Sequence, residues 1–194
     1  MYATHIPLLL AWIGYGVLHS VFASVILKQW LKKRWAGYNT YYRLWYTVFA
    51  VLSLAALLWF QCSIDSVMLF DSAFVKYAAG LPLGLGGLVI MLICSRYHLL
   101  HLLGLDTLIK KNNTQGLKIN GLYSWIRHPL YLGTFMFITG LFFSFPLLSN
   151  LLSILAIMGY TLTAIPLEEK KLLAEFGEQY LDYKRKVPMI LPFT

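Results

Sequence analysis

The sequence predicts an all-α, polytopic membrane protein of five transmembrane helices. Its N-terminus lies outside, and a C-terminal amphipathic helix lies in the cytoplasm. Three observations predict this. First, of 194 residues 59% are apolar and only 12% are charged, against about 45–50% and 25% in soluble domains. Second, the apolar residues gather in five runs close to the roughly 20 residues that a helix needs to cross a bilayer core. Third, fifteen of the sixteen Lys and Arg residues fall after the first, third and fifth runs. Such a composition excludes intrinsic disorder and argues against a soluble enzyme. The formal charge of +8 then belongs to basic cytoplasmic loops rather than to a nucleic-acid surface.

The expected spans are 6–27, 44–60, 77–93, 130–145 and 148–165. Ile6–Leu27 is interrupted only by His19 and small polar residues. No basic segment precedes it and no small-residue cleavage site follows it, so it reads as retained rather than as a signal peptide. The last two runs are separated by Pro146, Ser149 and Asn150, which predicts a tight hairpin. Lys28, Lys32, Lys33, Arg34 and Arg43 follow the first run. Arg96, Lys110, Lys111, Lys118 and Arg127 follow the third. Lys170, Lys171, Lys184, Arg185 and Lys186 follow the fifth, and Lys76 alone sits on the other side, near Asp65 and Asp71. By the positive-inside rule the C-terminus is cytoplasmic. The whole chain, 1–194, reads as one membrane-embedded domain. Its polar mass is confined to the loop 95–129 and the tail 166–194, and any chemistry should lie there.

In that loop, Gly121 suits a turn and Pro129 suits the first position of a helix. Arg127 reads most simply as a side chain snorkelling to lipid phosphates. The alternative is an anion site, formed by the free N–H groups of Leu130 and Tyr131 at the helix start with Arg127 and His128 beside them. In the tail, Pro166 again suggests a helix start. Leu172, Leu173, Phe176, Tyr180 and Tyr183 recur at helical spacing. Glu168 and Glu169 suit a first turn, yet two adjacent acids beside an anionic lipid surface need a cationic partner. A ligand bearing an ammonium or sulfonium would supply one. The small residues Gly84, Gly86 and Gly87 predict close helix packing.

Two cysteines, Cys62 and Cys94, both in apolar runs, provide no disulfide framework or zinc cluster. His19, His98 and His101 keep a haem- or metal-binding membrane protein open as a rival, although no Cys, Asp or Glu joins them. A small transporter subunit is a second rival. It predicts broken helices or inverted repeats, and none is evident.

The stretch Gly121-Leu122-Tyr123 … Arg127-His128-Pro129-Leu130-Tyr131-Leu132-Gly133 is followed by Glu168-Glu169 … Phe176-Gly177 … Tyr180 … Tyr183 … Val187-Pro188. Together they resemble the isoprenylcysteine carboxyl methyltransferase family. The bacterial branch of that family includes phospholipid methyltransferases, NnrU-like proteins and methanethiol S-methyltransferases. Leu18-His19-Ser20, Trp30 and Tyr42-Arg43-Leu44 resemble the NnrU-like and methanethiol branch most.

The resemblance implies S-adenosylmethionine as methyl donor. It also implies a donor site of Gln115, Gly116, Leu117, Lys118, Tyr123, His128, Pro129, Leu130, Tyr131 and Glu168, with no metal. The isoprenylcysteine enzymes carry an arginine four residues before the first acid of the pair. Here that position is Ala164, which argues against a prenylated protein carboxylate as acceptor. The implied partners are a small thiol or lipophilic acceptor and membrane lipid, not nucleic acid. The implied location is a bacterial inner membrane. Isoprenylcysteine-type carboxyl O-methylation and phospholipid N-methylation are the alternatives within the family. No general base and no oligomeric state follow from the residues.

Overall fold

The computed structural model describes residues 5–35, 38–96 and 116–191. Among them the regular structure is helical: α1 (His5–Ala23), α2 (Val25–Arg34), α3 (Tyr38–Ser63), α4 (Leu81–Arg96), α5 (Pro129–Ser144), α6 (Leu148–Phe176) and α7 (Glu178–Lys186). A π-helical turn, Val75–Gly80, leads into α4, and a 3-10 turn, Gly121–Ser124, precedes α5. Helices α1–α3 belong to one compact unit, and α4–α7 belong to a second.

Four described helical stretches are long and apolar enough to cross a membrane: His5–Ala23, Tyr41–Ser63, Val75–Ser95 and Leu148–Phe176. Their apolar side chains are widely exposed, Leu52 at 64% and Trp59 at 78% among them. Contiguous apolar surface of this kind needs lipid rather than water. The protein is therefore an integral membrane protein, with four candidate spans by length and composition among the described residues. The remaining apolar helix, α5, has 16 residues. At 1.5 Å per residue it reaches about 24 Å, short of the roughly 30 Å hydrocarbon core.

Several boundaries differ from expectation, each for a local reason. The first helix stops at Ala23 because Ser24 caps the next one, its Oγ accepting the Leu27 N–H at 3.2 Å. The basic stretch after it is thus the helix α2, not a loop. It carries three basic residues in its last turn, and Arg34 stacks on the Trp30 ring at 4.6 Å. The second and third spans extend beyond 44–60 and 77–93 at both ends. The largest difference lies at Pro166. It does not begin a tail helix but sits inside α6, which runs unbroken to Phe176. An apolar helix tolerates the lost N–H where neighbouring groups satisfy the freed carbonyl. The expected amphipathic tail helix is accordingly divided. Leu172 and Phe176 end α6, and Tyr180 and Tyr183 lie on α7. Gly177 joins the two at φ +54° and ψ −129°, a conformation that only glycine adopts without strain.

The second unit is held by close packing of α4 on α5. A Cβ on Gly140 would collide with the backbone of Gly84, and one on Gly87 with that of Phe137 and Gly133. The expected role of Gly84 and Gly87 is thereby met. Gly86 points elsewhere, with only the Met136 methyl near its missing Cβ, at 3.4 Å. The turn between α5 and α6 is the expected hairpin. Asn150 Nδ2 donates to the Phe145 carbonyl at 2.7 Å, and the Leu69 N–H donates to that of Pro146 at 2.7 Å. Phe135 of α5, Ile165 of α6 and Ile190 of the tail form one core. Tyr180, Tyr183 and Val187 form another, with Leu117, Leu172 and Phe176 against it. These cores bring the start of α5, the last turns of α6 and the tail together.

Candidate functional site

Proline at its first position sets where α5 begins. His128 precedes it as the cap residue without a side-chain capping bond, and Pro129 is fully buried. The tail runs beside this start. The Arg127 N–H donates to the Pro188 carbonyl at 2.9 Å, and the His128 N–H to that of Met189 at 3.0 Å. The first turn of any helix lacks acceptors for its N–H groups. Here Leu130 and Tyr131 supply those N–H groups, because Pro129 has none.

The two adjacent acids have different fates. Glu169 is buried, 6% exposed. Its Oε1 accepts from Arg127 Nε at 2.8 Å and lies 3.3 Å from His128 Nε2, and its Oε2 accepts from Lys184 Nζ at 2.7 Å. Arg127 also donates through Nη1 to the carbonyls of Lys184 and Val187. Arg127 therefore does not snorkel to lipid. It is the core of a tie between α5, α6 and α7, and its side chain is only 9% exposed. Glu168 sits one step round the helix, with its side chain 45% exposed. It accepts from the Tyr131 hydroxyl at 2.7 Å and stands 3.9 Å from His128 Nδ1. The rings of His128 and Tyr131 stack at 5.4 Å.

Tyr123, on the 3-10 turn, connects this cluster to a small cavity. Its carbonyl accepts from the Tyr183 hydroxyl at 2.6 Å. Burial, with lesser contributions from the Cys94 and Glu168 charges, pushes its own hydroxyl up to about 12. Its ring lies 5.1 Å from Lys118 Nζ. The cavity, of about 120 Å³, is lined by Tyr123, Lys118 and Cys94 among others. Burial lowers the Lys118 ammonium from its usual range, and the neighbouring Cys94 acts the opposite way.

Of the expected site residues, Lys118, Tyr123, His128, Pro129, Leu130, Tyr131 and Glu168 gather in these two adjoining places. Leu117 packs into the Tyr180 core. Gly116 is exposed, with nothing near its missing Cβ. Gln115 lies outside the described residues, as do His98 and His101. His19 meets the Tyr46 hydroxyl, 2.8 Å from Nε2. Reading from sequence missed the roles of Glu169, Lys184, Tyr183 and Cys94. The need of two adjacent acids for a cation was a usable signal, and Arg127 and Lys184 meet it for one of them.

Residues 108–187 match a family described as a protein of unknown function, DUF1295. Methanethiol S-methyltransferase of Mycobacterium tuberculosis is 41% identical over 80 residues, covering 40% of this chain and 31% of that protein. Protein-S-isoprenylcysteine O-methyltransferase of Xenopus laevis is 42% identical over 91 residues, covering 43% and 30%. Methanethiol S-methyltransferase 2 of Bradyrhizobium diazoefficiens is 31% identical over 190 residues, covering 92% of this chain and 69% of that protein. The matches thus span less than a third of the first two relatives and about two thirds of the third. No solved structure matches. A likeness that runs nearly the length of the chain, together with the shared segment from the 3-10 turn to the tail, settles the lineage: the chain belongs to the isoprenylcysteine carboxyl methyltransferase-like family of membrane proteins, alongside the methanethiol S-methyltransferases.

Proposed function

We propose that this protein transfers a methyl group from S-adenosylmethionine to a small thiol or lipophilic acceptor at the cytoplasmic face of a bacterial inner membrane. The observation that carries the reading is the division of labour between the two acids. Glu169 is neutralised within the chain, whereas Glu168 keeps a half-exposed carboxylate fixed by Tyr131. A carboxylate steadied in this way, with the aromatic residues Tyr131 and Tyr123 near it, suits an ammonium or a sulfonium. The start of α5 suits the donor's own carboxylate.

The residues present fit the donor. Glu168 would face its cationic part, and Leu130, Tyr131 and His128 its carboxylate. Tyr123, Pro129 and the segment Gln115, Gly116, Leu117 and Lys118 would frame the rest. When bound, S-adenosylmethionine supplies an electrophilic methyl on sulfur. The work of this chain is to hold acceptor and methyl in line and to exclude water. Such positioning is worth roughly 7–11 kcal/mol, and no metal is required. The N-terminus is assigned outside, the C-terminus inside, with α5 as a fifth crossing.

Calorimetric titration of the purified protein with S-adenosylhomocysteine tests the reading. Binding by the native protein, weakened about tenfold or more in Glu168→Gln, is expected. No binding by the native protein contradicts it.

A further inference from the structure

Helix α2 joins two candidate spans, α1 and α3, and so lies at one face of the membrane. Against the end of α1 and the start of α3 it forms a groove of about 320 Å³, lined by Phe22, Leu27, Leu31, Trp35, Tyr42 and Trp45. That volume is at the lower end of the roughly 300–1,000 Å³ of small-molecule sites. The walls are fixed by bonding between elements. Tyr42 is buried, and its hydroxyl donates to the Phe22 carbonyl, one of those left without a helical partner where α1 ends. Trp45 meets Phe22 edge-on at 5.2 Å. With the Tyr42 hydroxyl engaged in this way, the lining is almost wholly apolar. The charge beside the groove is one-sided. Leu27, Leu31 and Arg34 stand at i, i+4 and i+7, so Arg34 continues the groove-lining face of α2. Its guanidinium lies 4.6 Å from the centre of the Trp30 ring, a contact that consumes no hydrogen-bond donor. Lys32 and Lys33 share its turn, and all three are exposed. No Asp or Glu occurs in the first 64 residues. The dipole of α2 offers about half a negative charge at that end, too little for three cations.

We infer that this groove holds an acyl chain of one anionic phospholipid, with the lipid phosphate against Arg34 and the neighbouring Lys32 and Lys33. The lipid is a resident ligand of α1–α3 rather than a methyl acceptor, and the inference stands independently of the methyl-transfer reading. Any apolar groove in a bilayer fills with lipid tails, without regard to head group. The cations at the end of this one make it selective. The planar fork of arginine suits two phosphate oxygens at once, and the two lysines add attraction that a zwitterionic head group cancels. Trp30 and Trp35 are of the residue type that gathers at the head-group level of a membrane. Trp30 carries the Arg34 contact and Trp35 lines the groove, so the cations and the groove share that depth.

The test is electron paramagnetic resonance of the whole chain in phosphatidylcholine vesicles, with chain-labelled phosphatidylglycerol or phosphatidylcholine as the probe. Native protein should immobilise one phosphatidylglycerol per chain about tenfold more tightly than phosphatidylcholine, the scale of a charge-assisted contact. The triple variant Lys32→Gln, Lys33→Gln, Arg34→Gln changes only exposed side chains and should lose that preference with its helical circular dichroism intact. Leu31→Phe keeps every cation but fills the groove, and should lose it too. Lysophosphatidylglycerol should compete with the probe, whereas glycerol phosphate, a head group without a chain, should not. Equal immobilisation of the two lipids by native protein overturns the inference, because the groove then holds bulk lipid. So does a preference that persists in the triple variant, or in a folded Leu31→Phe, where a diffuse basic surface would account for it. Displacement of the probe by glycerol phosphate overturns it in favour of a site for free phosphate.

Discussion

Arg127 Nε donates to Glu169 Oε1 at 2.8 Å, joining residues 42 positions apart in the sequence. Both side chains are over nine-tenths buried. Removing one partner of such a pair leaves an uncompensated charge and costs about 3–5 kcal/mol. Arg127→Met or Glu169→Gln should therefore lower thermal stability in detergent sharply. The double variant should lose less than the two single losses added together. Additive losses would show that the pair is not coupled.

Glu168→Gln should behave differently. Its side chain is half exposed and keeps a hydrogen-bond acceptor for Tyr131, so thermal stability should move by less than about 1 kcal/mol, the scale of an exposed charge pair. Affinity for S-adenosylhomocysteine should fall ten- to a hundredfold, since a charge-assisted hydrogen bond is worth about 1.5–3 kcal/mol. Equal stability losses at Glu168 and Glu169 would count against the separation of roles.

How much of this arrangement was legible in the sequence depends on its range. Gly84 and Gly87 announced close packing because small residues four or fewer apart act locally on one helix. Pro146 and Asn150 marked the hairpin for the same reason. The partner of Glu169 was not legible, because Arg127 and Lys184 reach it through three separate elements. The misreading of Pro166 has a different origin. Proline marks a helix start only where the preceding turn has other uses, and here apolar residues on both sides favour continuing the helix. The true break, Gly177, lay inside a periodic pattern whose spacing survives the turn.

Substitution along the α4–α5 contact should be graded by space. Gly140→Ala forces backbone against backbone at Gly84 and should cost about 1–3 kcal/mol, as overpacking does. Gly86→Ala meets only the end of the flexible Met136 side chain and should be close to neutral. Unfolding in mixed detergent and sodium dodecyl sulfate measures both. Equal effects would contradict the packing.

Alkaline pH should loosen the second unit. The hydroxyls of Tyr123 and Tyr183 are both pushed up to about 12 from 10, burial being the largest cause in each. Arg127 opposes the shift at Tyr183, while Tyr123 and Glu169 add to it. The folded state therefore holds the neutral phenols more tightly than the unfolded chain does. That stabilisation is complete below pH 10 and is lost as pH rises towards about 12. Tyrosinate absorbance followed together with helical circular dichroism should show a late fraction that ionises as helix is lost. Complete ionisation near pH 10 with helix intact would contradict the burial.

Topology is checked by cysteine labelling in intact cells. Lys76→Cys should label from outside and Lys184→Cys only after permeabilisation. Labelling of both from one side would refute an odd number of crossings between them.

The central claim is methyl transfer, and the most direct measurement is a transfer assay with methyl-labelled S-adenosylmethionine. Purified protein in lipid would be offered small thiols, phospholipids and prenylcysteine analogues in parallel. The expected result is label in the methyl thioether of a small thiol, falling at least tenfold in Glu168→Gln while that variant stays folded. Label in none of the acceptors, from a protein that is folded and lipid-embedded, would contradict the account.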